Sequence, residues 1–174
     1  MKIFQWVVAL ILVAYAAYSV YHIFKLTKED RENAQRFLTL HPEAKLYTKG
    51  TMQSTILMLL SVVGFVMAFA VKDFGNDLQQ TLFVQVTYFS VGIVFVCLSM
   101  EVKLKRKVYV GETNFYCIGN IYKYRNVKKF ENVSGVFKKK EIYMHDGEVL
   151  SLPVPLGQEI ETAFKDWKIN KKRK

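Results

Sequence analysis

The chain is short of the residues from which most active sites are built. Its 174 residues include three histidines and two cysteines. His22 sits at the edge of an apolar run, His41 precedes a proline, and His145 lies beside a hairpin signal. Cys97 falls in an apolar run and Cys117 in a candidate strand, without metal-ligand spacing or a disulfide framework. No H-E-x-x-H, G-x-S-x-G, phosphate-binding loop or G-x-G-x-x-G motif is present. Asp146 beside His145 reads as turn chemistry, not as a dyad. These absences predict no catalytic residues, no metal and no cofactor, and they argue against an enzyme.

Formal charge is missing too, from three long runs: 3–24, 53–71 and 82–100. A hydrocarbon core about 30 Å thick needs roughly 20 helical residues, so each run fits one crossing. Ionisable groups inside a bilayer mark ion paths and proton relays, and no Asp, Glu, Lys or Arg lies within these runs. That weakens a pump or transporter reading, although a homo-oligomeric pore stays open. The expected organisation is a membrane domain over 1–100, with a cytoplasmic loop at 25–52, and a cytoplasmic domain over 101–174.

What is present is basic charge, unevenly spread. The net charge is +10, and residues 101–174 carry seventeen Lys/Arg against nine Asp/Glu. The 25–52 loop has six basic residues and the 72–81 turn has one. The positive-inside bias then predicts a multi-pass plasma-membrane protein with its N-terminus outside and its C-terminus in the cytosol. Lys2, the first apolar run and Ala14-Tyr15-Ala16 also resemble a cleavable secretory signal. Cleavage would put Lys103–Lys107 outside, against the bias, so an uncleaved anchor is expected. Asn132-Val133-Ser134 matches a glycosylation sequon that would face the cytosol, where it is inert.

Within the first loop, Thr27 is the expected cap of a separate amphipathic helix from Lys28 to about Leu40, which Pro42 ends. Ala34, Phe37, Leu38 and His41 share one face, predicting packing on the membrane surface or on the C-terminal domain. Ser61, Gly64 and Ala68 have the spacing that lets membrane helices approach closely. Phe74-Gly75-Asn76-Asp77 is a turn signal that makes the second and third runs an antiparallel hairpin.

After Glu101 the apolar period changes to two. Val102, Leu104, Val108 and Val110 fall on one face and Lys103, Lys105 and Lys107 on the other, predicting a strand over 102–110. Gly119-Asn120 signals a hairpin between strands 114–118 and 121–125, and Asp146-Gly147 another into 148–152. A strand over 126–133 and a Ser134-Gly135 turn come between them, followed by one strand or two over 136–145. Pro153 and Pro155 stop the sheet. Ile160, Ala163, Phe164 and Trp167 then predict an amphipathic helix over 157–170. The fold class is therefore membrane α plus β: three transmembrane helices, then a small antiparallel β-barrel or sheet capped by a C-terminal helix.

The run Ile121–Phe130, then Asp146-Gly147, then Leu150-Ser151-Leu152-Pro153 and a final helix with Trp167, resembles the bacterial pleckstrin-homology-like domains, often fused to membrane hairpins as in YcxB-like proteins. The resemblance covers about 70 residues. It implies a barrel closed by its last helix and no catalytic motif, and members of this architecture are commonly uncharacterised.

Basic clusters remain to be read. Lys103, Lys105, Arg106 and Lys107 follow the third run directly, and Lys138, Lys139 and Lys140 form a second group; Lys128–Lys129 and Lys171–Lys174 are two more. As a site they predict attraction to anionic lipid head groups, each worth roughly 1 kcal/mol near such a surface; otherwise they are a solvated positive-inside face. Membrane attachment accounts for this charge without nucleic acid. The expected role is a lipid- or protein-binding scaffold module. The alternative is a small transport or toxin-immunity component working through helices lined by Gln85, Thr87 and Ser90.

Overall fold

Nothing in the first forty residues breaks a helix, and none is broken. In a computed structural model that describes residues 2–49, 52–70, 78–134 and 138–173, helix α1 runs from Lys2 to Leu40 without interruption. The expected fresh start at Thr27 does not occur. Lys25, Leu26 and Thr27 contain no breaker, and the Thr27 hydroxyl donates back to the Ile23 carbonyl at 2.7 Å instead of capping a new helix. The helix stops two residues before Pro42, as the restriction on the residue before a proline requires.

A short strand, β1 (Lys45–Thr48), follows, then helices α2 (Met52–Ala70) and α3 (Leu78–Lys105). The three helices α1, α2 and α3 have the length and apolar content to cross a membrane, each with a window of mean hydropathy 2.0. The turn signal at Phe74–Asp77 lies outside the described residues. Helix α3 also overruns the sequence reading, because residues 102–105 are helical where a strand is expected. Glu101, Lys103 and Lys105 are good helix formers, and extending an existing helix needs no new nucleus.

Strand β2 (Lys107–Val110) begins after a single intervening residue, followed by β3 (Asn114–Cys117), β4 (Asn120–Lys123) and a short 3-10 turn at Tyr124–Asn126. Then come β5 (Val127–Val133), β6 (Lys139–Met144), β7 (Val149–Pro153) and helix α4 (Val154–Arg173). Pro155 opens α4 and does not end the sheet alone; the first helical turn has no need of its missing N–H. The β3–β4 hairpin turns one residue earlier than expected. Cys117 pairs with Asn120, and Ile118 and Gly119 carry the positive φ values of 50° and 82°. At the β6–β7 hairpin Gly147 supplies φ 90° as expected.

The strands do not close into one barrel. They form two antiparallel sheets, β1-β2-β3-β4 and β5-β6-β7. Alternating residues of both sheets and one stripe of α4 share a core that includes Val108, Phe115, Cys117, Tyr124, Ile142, Leu152, Leu156 and Ile160.

The chain divides into two compact units, 1–27 with 52–103, and 28–51 with 104–174. The second unit is discontinuous in sequence. The last turns of α1 and strand β1 precede the α2–α3 hairpin, yet they belong with the strands that follow it. Strand β1 pairs with β2 in register, Lys45 opposite Val110 and Thr48 opposite Lys107. The stretch read as a membrane-domain loop thus supplies a sheet edge and a helix to the second unit.

That helix segment explains an oddity of β3. Phe115, Tyr116 and Cys117 are all buried, where a half-exposed strand would alternate. Phe115 and Cys117 face the main core, while Tyr116 faces the α1 segment, where it meets Phe37 and Ala34. The Tyr116 hydroxyl donates to the Asp30 carboxylate at 2.7 Å, and Asn33 Nδ2 donates to the Gly119 carbonyl at 3.0 Å. The amphipathic stripe read from Ala34 and Phe37 is therefore used against this sheet.

In the first unit, small residues bring α2 and α3 together. A Cβ on Gly64 would lie 3.1 Å from the Gly92 Cα, so Gly64 has no room for a larger side chain without separation, and a Cβ on Gly92 would press on the Phe65 ring at 3.0 Å. Ser54 and Ser99 form a reciprocal clasp, with hydroxyls 2.8 Å apart and each within hydrogen-bond reach of the other's carbonyl, so that two protons are shared among three contacts. Such bonds satisfy serine hydroxyls where no water competes.

Candidate functional site

The seven basic residues singled out by the sequence have unlike surroundings. Lys103 and Lys105 are exposed on the last turns of α3, Arg106 is half-buried in the link, and Lys107 is half-buried at the start of β2. Along α3 the first two stand about 4.5 and 7.5 Å beyond Met100, at 1.5 Å per residue. Lys138 and Lys139 are exposed at the start of β6.

Lys140 differs from the other six. Alternation along β6 sends it to the opposite face from Lys139, where it is 5% exposed. Its ammonium is paired with the Glu161 carboxylate on α4, and Lys165 lies 2.8 Å from the same carboxyl group. Its aliphatic stem lies against Gly157, where an added Cβ would come within 2.7 Å of the lysine Cβ. The two ammonium groups hold the Glu161 carboxyl below its ordinary range, the Lys140 hydrogen bond being the larger cause. Lys140 thus fastens α4 to the sheet. A run of three lysines reads as one cluster in sequence, but a strand divides it.

Three further basic residues of the second unit make local contacts. Lys129 pairs with Glu131 and lies 4.4 Å from the Tyr143 ring centre, and Lys168 lies 4.6 Å from that of Phe164. Lys171 is 5.4 Å from the Trp167 ring centre.

A cleft of about 430 Å³, which the sequence gave no sign of, opens beside Tyr47, Val110 and Trp167. Its rim carries Glu43, Glu112, Glu159 and Asp166, with Lys45 among them. Lys49 engages Glu159 at 2.8 Å, and Glu43 lies 3.3 Å from His41 Nδ1. Three separate segments contribute these carboxylates, so no local pattern announces them. His41 itself is accounted for by its neighbours, since its Nε2 is 2.9 Å from the Asn114 amide and its ring lies beside Phe37.

Cys117 is fully buried in the core, and burial pushes its thiol up to about 12. Such a thiol is a packing group, not a nucleophile. Among the described residues, no group of three or more His, Cys, Asp or Glu is arranged to hold a metal ion. No family model, curated protein or solved structure matches the chain.

Proposed function

We propose that this is an integral membrane protein that presents a basic, pleckstrin-homology-like module at the inner leaflet, where it acts as a scaffold binding anionic lipid head groups. Two antiparallel sheets followed by a helix that shares their core support the resemblance drawn from the sequence. The observation that carries the reading is the unbroken course of α3. An uncharged stretch of nineteen residues passes into Lys103 and Lys105 with no flexible joint. Once that stretch is in hydrocarbon, both ammonium groups stand within the roughly 8 Å over which surface potential acts at physiological salt.

The sheet adds a topological argument. Thr48 and Lys107 are neighbours across β1 and β2, and the whole α2–α3 hairpin lies between them in sequence. Both ends of that hairpin therefore lie close together, on one side of any membrane it crosses twice. The excess of Lys and Arg in residues 25–52 and 101–174, which flank it, favours the cytosol for that side.

The test is lysine acylation footprinting of the full-length protein in nanodiscs. Lys103, Lys107, Lys138 and Lys139 are expected to be labelled several-fold more slowly with phosphatidylglycerol present than in pure phosphatidylcholine. Equal labelling in the two lipids would remove the lipid part of the reading and leave a protein partner.

A further inference from the structure

Helix α1 does not close fully on the α2–α3 hairpin, and the space left along its seam with α3 has a definite shape. One cavity of about 520 Å³ opens beside Ala16, Ala17, Ala68 and Ser90, whose small side chains create the room. A second, of about 330 Å³, continues it towards Thr27 and Met100. Val20 and Ile93 line both. The furrow therefore follows α1 from Val13 to Thr27, about 21 Å at 1.5 Å per residue. One leaflet of a 30 Å hydrocarbon core is about 15 Å deep, so the furrow is long enough for a lipid chain.

Gln85, Ser90 and Thr27 are the polar side chains on an otherwise apolar wall, a lining that suits a hydrocarbon chain.

Charge fixes its head. At the Thr27 end the α3 wall ends in Met100, and Lys103 follows three residues on, the spacing that places both on one side of a helix. Glu101 is one residue from Met100 and two from Lys103, offsets at which helical side chains do not face each other. Lys103 is exposed, one turn of α3 beyond Met100.

We infer that the α1–α3 seam holds one acyl chain of an anionic phospholipid, whose phosphate meets Lys103. This deepens the lipid reading above by assigning a held lipid in the membrane unit, separate from the surface attraction of Lys138 and Lys139.

Native mass spectrometry of the full-length protein, delipidated in mild detergent and offered phosphatidylglycerol or phosphatidylcholine, tests it. The natural chain is expected to retain one phosphatidylglycerol at collision energies that strip phosphatidylcholine. Ala17→Phe, which fills the furrow from an exposed apolar position, should lower the bound fraction at least fivefold. Lys103→Gln should make retention of the two lipids equal. A diazirine-bearing phosphatidylglycerol acyl chain should label furrow residues such as Val20 and Ile93 above exposed residues elsewhere on the three helices, so the assignment stays testable if Ala17→Phe folds poorly. Unchanged retention in Ala17→Phe, labelling no greater in the furrow than on the exposed faces of the helices, or a dimer that Ala17→Phe dissociates would each overturn the proposal. Acylation protection of Lys138 and Lys139 should survive Ala17→Phe, which distinguishes failure here from failure of the surface reading.

Discussion

At the scale of single residues, the second unit depends on a few side chains that belong to more than one element. Lys140 and Glu161 join β6 to α4 across a largely buried gap. Replacing Glu161 with Gln leaves the ammonium without its counter-charge, at a cost of about 3 kcal/mol near neutral pH. The folded carboxyl titrates below its ordinary value of 4.5, so its stabilisation is complete above that pH and is lost as pH falls through the folded value. Denaturant titrations followed by Trp167 fluorescence should therefore show the natural chain and Glu161→Gln far apart at pH 7 and converging only as pH falls below 4.5 through the folded value. Gly157 is the partner in shape of the same lysine. In a helix, Gly→Ala ordinarily stabilises by about 1 kcal/mol. Here the new methyl meets the stem of Lys140 at its inner carbons, so Gly157→Ala should instead destabilise by about 1–3 kcal/mol in the same titrations.

At the scale of elements, two pairings decide the architecture, and neither rests on large apolar side chains alone. Helix α2 meets α3 through Gly64, Gly92 and the Ser54–Ser99 clasp. Cysteines placed at Ser54 and Ser99, in a chain with Cys97→Ala, should form a disulfide readily. Adding Gly64→Leu should reduce that cross-linking several-fold on a non-reducing gel, because a side chain there forces the backbones apart. The end of α1 meets sheet β1-β2-β3-β4 through Phe37, Ala34 and the Tyr116–Asp30 hydrogen bond. Burial and the Asp30 bond push the Tyr116 hydroxyl far above the ordinary tyrosine range, so it stays a donor. Tyr116→Phe should lower the stability of the second unit by about 2 kcal/mol, measured by chemical denaturation, because the bond has a charged acceptor.

On the scale of the whole molecule, the second unit is assembled from sequence on both sides of an inserted hairpin. A fragment of residues 101–174 lacks β1 and the α1 segment that covers Tyr116. It should be poorly folded by circular dichroism and bind a hydrophobic dye. Joining 28–49 to 104–174 through a short Gly/Ser linker should restore a cooperative transition, since Thr48 and Lys107 are already neighbours. A fragment 101–174 that melts cooperatively by itself would remove this account of the unit.

The sequence by itself determined the features that depend on local order. Uncharged runs of membrane length, turn chemistry at Asp146-Gly147, and the stripe from Ile160 to Trp167 each act within a few turns of chain, and each is where it was read. The sign of the basic residues and their crowding after the third apolar run were legible for the same reason. Tertiary structure decided what depends on partners distant in sequence. Strand β1 is four residues with little pattern of their own, and only pairing with β2, about sixty residues on, makes them an edge. Thr27 looks like a cap until the helix before it continues. Lys140 looks like surface charge until β6 turns it towards Glu161. Side-chain chemistry is written residue by residue, but burial is a property of the neighbours, and those arrive only when the chain has folded back on itself.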